Sequence, residues 1–132
     1  MKIGIAIARV LVGLIFVFFG SNAFLHFLPM PPLPPTPAGQ FVGALIASHY
    51  VMVVGGCQVL GGLLLLVNRY MPLGLTILGP LVVNILFYHL LMSMVGFFPL
   101  ALITILLYLF LLYGYRQYFA SLFVQKAVVD RI

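Results

Sequence analysis

Acidic residues are almost missing from this chain. Asp130 is the only carboxylate side chain in 132 residues, and it lies in the tail. Charged residues of both signs make up 5% of the sequence, where a soluble domain carries roughly 25%. Most of the surface therefore has to face something other than water. Cys57 is the only cysteine, which excludes an intrachain disulfide, a CxxC redox pair and a cysteine-built zinc site. Lying between Gly56 and Gln58, it reads as a small apolar filler. A nucleophile triad, a phosphate loop and a carboxylate pair are also absent. A proton relay through the membrane on carboxylates is therefore not expected.

What is present is apolar: 65% of the residues are hydrophobic and the mean hydropathy is +1.31. A bilayer core of ~30 Å needs about 20 helical residues at 1.5 Å each. Four runs meet that need, at about 3–25, 49–67, 72–94 and 98–115. The expected fold is all-α, a single-domain integral membrane four-helix bundle. The first run is too long for a signal peptide and contains Arg9, so it is expected to be retained as a span.

Pro29 to Pro37 carries six prolines in nine residues, which favours a stiff extended loop over helix. Thr36 then reads as a helix N-cap with Pro37 at the first helical position. This predicts a short interfacial helix to about Ala47. Pro80 interrupts the third run and predicts a kink, because it lacks an N–H and clashes with the carbonyl of Thr76. A tight turn is expected at Gly96 to Pro99. The tail 116–132 places Tyr118, Phe119, Leu122 and Phe123 near helical spacing among polar residues, as an amphipathic helix would.

The net charge of +5 does not point to nucleic acid, whose binders cluster their bases on a water-facing surface. Here the bases sit singly at the ends of apolar runs. Lys2, Arg9, Arg69, Arg116, Lys126 and Arg131 all fall on one side of a four-span chain, and the opposite loops have none. By the positive-inside rule both termini are cytoplasmic, with the bacterial inner membrane as the expected location.

A few polar residues interrupt the apolar runs. Arg9 lies about one turn inside the first run. Its plain reading is a side chain snorkelling to the headgroups, and its functional reading is one facing the bundle or an anionic headgroup. Gly13 and Gly20 share its helical face and would let a neighbour pack closely. Gln58 and Asn84 sit at matched depths in the second and third runs. Each amide needs a partner in hydrocarbon, so they are expected to bond to each other or to backbone carbonyls, or to line a polar pocket for a quinone-like ring. Tyr88 shares a face with Asn84, four residues on. His89 lies about 140° around the helix from Asn84 and is expected outside their pocket. Asn22 and His26 form another four-residue pair. His26, His49 and His89 all belong to the outer half and are weak candidates for metal or tetrapyrrole ligation. They lack both the paired spacing and the acid that usually orients such ligands.

Three stretches carry a family resemblance: Ala8-Arg9-Val-Leu-Val-Gly-Leu-Ile-Phe16, Gly61-Gly-Leu-Leu-Leu-Leu-Val-Asn-Arg69-Tyr-Met-Pro72-Leu and Gly79-Pro80-Leu-Val-Val-Asn84-Ile-Leu-Phe-Tyr-His89. Together with the proline-rich loop, they resemble the DoxX-like family of small bacterial membrane proteins over about residues 8–115. The resemblance implies a four-helix membrane bundle with polar positions at Arg9, Asn22, Gln58, Arg69, Asn84 and His89. It also implies a setting near quinone-linked redox complexes. Ala23 stands where many relatives carry lysine, and Gln58 where they carry an acid, so an intramembrane ion pair is lost. The expected role is a non-catalytic small subunit of a redox membrane complex, with the lipid bilayer and other membrane subunits as partners. The alternative is a purely structural subunit of a respiratory or photosynthetic assembly, holding a pigment or lipid. A quinone or tetrapyrrole is a possible cofactor, and no nucleotide is expected.

Overall fold

The computed structural model describes residues 1–30, 32–92 and 99–130. Among these there are helices and no strands: α1 (Lys2–Leu25), α2 (Pro37–Ala47), α3 (Tyr50–Val67), α4 (Met71–Phe87) and α5 (Pro99–Gly114). A π turn at Tyr88–Met92 extends α4, and a 3-10 helix at Arg116–Phe123 follows α5. The helix ends fall where the punctuation residues stand. Thr36 Oγ1 accepts from the Gly39 amide at 3.4 Å, with Pro37 opening α2. α3 ends at Asn68, which takes the left-handed conformation at φ 57°. The turn expected at 96–98 lies outside the described residues.

The four long helices close a ring: α1 packs on α3, α3 on α4, α4 on α5 and α5 on α1. Each presents buried residues at helical spacing. Ala8, Val12 and Phe16 line the inner face of α1, Leu75, Leu78 and Val82 that of α4, and Tyr108 and Leu111 that of α5. The outward faces are equally apolar: Leu14, Val83, Leu106 and Leu109 are all more than half exposed.

The α1–α3 contact is made backbone to backbone. A Cβ on Gly20 would lie 2.7 Å from the Gly55 carbonyl oxygen, and one on Gly55 2.8 Å from that of Gly20. Gly13 and Gly62 repeat this two turns away, at 3.0 and 2.8 Å. Such close approach is how helices associate where lipid removes the hydrophobic drive between them. Gly13 and Gly20 therefore meet a second glycine pair on α3.

Pro80 lies within a helix that continues past it. Beside it, the Tyr108 hydroxyl of α5 donates to the Leu75 carbonyl at 2.5 Å, across a space kept open by Gly79. The tail corrects the sequence reading. The amphipathic helix expected over 116–132 is a 3-10 helix only to Phe123, and the chain is irregular from Val124 to Asp130. The 3-10 helix is bent by 78° from α5 and buries no residue against the bundle. Phe119 alone is half-buried against the core, and so short a stretch with one anchoring side chain does not hold a regular α-helix.

Candidate functional site

The cleft sits where α2 folds back over α3 and α4. It has a volume of about 420 Å³. Phe41 of α2, Tyr50 and Gln58 of α3, and Asn84, Tyr88 and His89 of α4 and its π turn supply its aromatic and polar lining. The proline loop and the Thr36 cap aim α2 at this position. Phe41 and Tyr88 then meet with ring centroids 5.9 Å apart, and Tyr88 and His89 stand edge to face at 5.2 Å.

The two amides are treated differently. Asn84 Nδ2 donates to the carbonyl of Pro80, one turn back on its own helix, at 2.9 Å. The direct Gln58–Asn84 bond is therefore not formed, and Asn84 takes the backbone partner instead. Gln58 makes no side-chain hydrogen bond among the described residues, and no buried side-chain polar atom there lacks a partner. Gln58 lines the cleft from the edge of the α1–α3 contact, with its Cβ toward Gly20.

His89 corrects the sequence reading. It lines the same cleft as Asn84 and Tyr88. The 140° expected from α-helical spacing does not apply past Phe87, where the π turn begins. Leu81, Ile85 and Tyr88 line the cleft beside Asn84 and His89, and α2 packs on α3 and on the π turn. His89 Nδ1 lies 2.8 Å from the Ile85 carbonyl, which fixes the proton on Nδ1 for that bond. From Tyr88 onward the helix widens into the π turn, a distortion common at functional sites.

The remaining candidates lie elsewhere and close helix ends. Asn22 Oδ1 accepts from the Leu28 amide at 2.9 Å, and the Asn22 carbonyl accepts from His26. His26 is the left-handed cap of α1 at φ 52°, and His49 takes the same conformation before α3 at φ 62°. Both imidazoles are exposed. Among the described residues no three of His, Cys, Asp and Glu gather as a metal site would require. Arg9 is half-buried and reaches across to the end of α3. Its Nη1 donates to the Leu65 carbonyl at 2.5 Å and to that of Leu66 at 3.1 Å. These carbonyls end α3 and carry its negative dipole charge, which draws the guanidinium to them. Sequence spacing within α1 could not reveal this partner, which is supplied by another helix.

An all-helical chain with three helices long and apolar enough to cross a membrane, or four if α5 and the bent 3-10 helix form one span, fits a transmembrane protein. α5 alone has 16 residues and covers about 24 Å. No protein-family model, curated protein or solved structure matches the chain.

Proposed function

We propose that this chain is a DoxX-like membrane protein of four spans that holds a small ring compound, such as a quinone, in the cleft between α2, α3 and α4. It acts as a non-catalytic subunit of a redox complex in a bacterial inner membrane, with both termini on the cytoplasmic side. The observation that carries the reading is Gln58, which lines the cleft and makes no side-chain hydrogen bond among the described residues. An amide in apolar surroundings is costly unless a ligand or water bonds it. A ring carbonyl is a fitting acceptor, with Phe41, Tyr50 and Tyr88 offering faces for stacking. General acid–base chemistry needs a group that titrates near the working pH, and no carboxylate lines the cleft to tune His89.

The test is titration of the purified chain with a short-chain ubiquinone analogue, followed by tyrosine fluorescence. Saturable binding that weakens about tenfold in Gln58→Leu is expected, since an unmade polar bond is worth about 1–1.5 kcal/mol. Equal affinity in Gln58→Leu removes the reading. Quinone turnover by the chain alone removes the non-catalytic part. Topology is tested separately with Cys57→Ala carrying Pro34→Cys or Val128→Cys. An impermeant reagent on intact cells is expected to label the first and not the second.

The second reading is a purely structural subunit. It is favoured by the unbroken apolar outer face of α1, where Ile7, Leu14 and Phe18 are exposed. Co-purification of further membrane chains without any quinone or pigment would favour it.

A further inference from the structure

At the opposite end of the bundle, the start of α1 meets the ends of α3 and α5 around a second cleft of about 470 Å³. Lys2, Arg9 and Arg116 line it, with Asn68 beside them. Asp130, the only acidic side chain, does not. Three cations thus share one hollow with no acid to balance them.

Both guanidiniums are held in place. Arg9 is fixed by the Leu65 and Leu66 carbonyls through Nη1 alone, which leaves the Nε and Nη2 donors. Arg116 Nη1 donates to the Tyr113 carbonyl at 2.7 Å, and the guanidinium lies 4.2 Å from the centre of the Tyr113 ring. Fixed planar forks with spare N–H groups suit the oxygens of a phosphate.

The second observation lies next door. A shallow, open apolar groove runs along the outer face of α1, lined only by Ile3, Ala6, Ile7, Val10 and Leu11. Ala6 borders both hollows. A basic cradle meeting an apolar surface strip at one residue matches a molecule with a phosphate joined to a hydrocarbon chain.

We infer that this end of the protein is a binding site for an anionic glycerophospholipid. Its phosphate sits between Lys2, Arg9 and Arg116, and one acyl chain lies in the α1 groove past Ala6. The inference needs the helices to lie in a bilayer and is independent of the ring cleft. Resistance of the chain to carbonate extraction tests the bilayer placement on its own.

The experiment is native mass spectrometry of the full chain in neutral detergent. Dioleoyl phosphatidylglycerol, dioleoyl phosphatidylcholine and inorganic phosphate serve as probes. Retention of the glycerol lipid in preference to the choline lipid is expected, with no displacement by millimolar phosphate. Each cation near an anionic lipid contributes about fivefold, so Lys2→Gln with Arg116→Gln is expected to weaken retention about thirtyfold. Ala6→Trp blocks the junction with every charge intact and is expected to weaken it too. Circular dichroism confirms the helix content of each variant, and Ala6→Trp decides if the charge variant unfolds. Equal retention of both lipids, unchanged retention in Ala6→Trp, or displacement by free phosphate, which would mark a plain anion site, each overturns the inference.

Discussion

The two sides of α3 are packed in opposite ways. Toward α1 it shows Gly55 and Gly62, and a single added carbon there would strike a backbone oxygen at 2.8 Å. Toward α2 and α4 it shows Tyr50 and Val54 across a cleft of about 420 Å³, with Gln58 at the boundary, its Cβ packed toward Gly20 of α1. One side leaves no room for a methyl group, and the other leaves room for a ring compound. The tight side sets the helix axes by close backbone approach, with Ala23, Val17 and Leu66 packed beside the glycines. The side chains of the open side are then free to be chosen for what they bind.

This contrast orders the effects of substitution. Gly55→Val should do the most damage, because the added carbon meets Ala23 Cβ at 2.5 Å and the Gly20 carbonyl at 2.8 Å. A loss of about 3 kcal/mol or more, or failure to fold, is expected in thermal unfolding in detergent. Wild-type stability there would show that the contact is not as rigid as described. Arg9→Met comes next. It strips the α3 carbonyls of a charged donor and should cost about 2 kcal/mol by the same measurement. Tyr108→Phe removes one buried interhelical bond to Leu75 and should cost about 0.6–1.7 kcal/mol.

On the open side, His89→Phe should change stability by no more than about 0.5 kcal/mol while altering ligand retention in the quinone titration. A large loss of stability in His89→Phe would erase the distinction between the two sides. That would place His89 among the packing residues.

Much of the helix layout was legible because proline, asparagine and glycine mark helix ends locally. Thr36 and Pro37 gave the start of α2, and Asn68 and Pro72 bracketed the α3–α4 connection. Gln58, Asn84 and Tyr88 were legible as neighbours because amides in apolar helices need partners and share a depth. Other features depend on a second element. The reach of Arg9 needs the end of α3, and the cleft that His89 lines needs α2 packed on α3 and on the π turn. The Tyr-His-Leu-Leu-Met stretch of the π turn carries no proline or glycine that would announce it. Asn84 four residues after Pro80 was the readable sign that its amide would bond backward along its own helix.

The connection between α3 and α4 has a further consequence. It consists of Asn68, Arg69 and Tyr70, and both Asn68 and Tyr70 are left-handed, at φ 57° and 54°. A non-glycine residue in that region costs roughly 1–2 kcal/mol, so the packing of α3 on α4 has to hold the corner closed. In the membrane reading, this makes the pair a preformed hairpin during biosynthesis. Two apolar rods joined by so short a corner then enter the bilayer as one unit in that reading. The charge of Arg69 at the corner then keeps that tip on the side where synthesis occurs. On the proposed topology, α3 and α4 take their orientation as a unit through this corner.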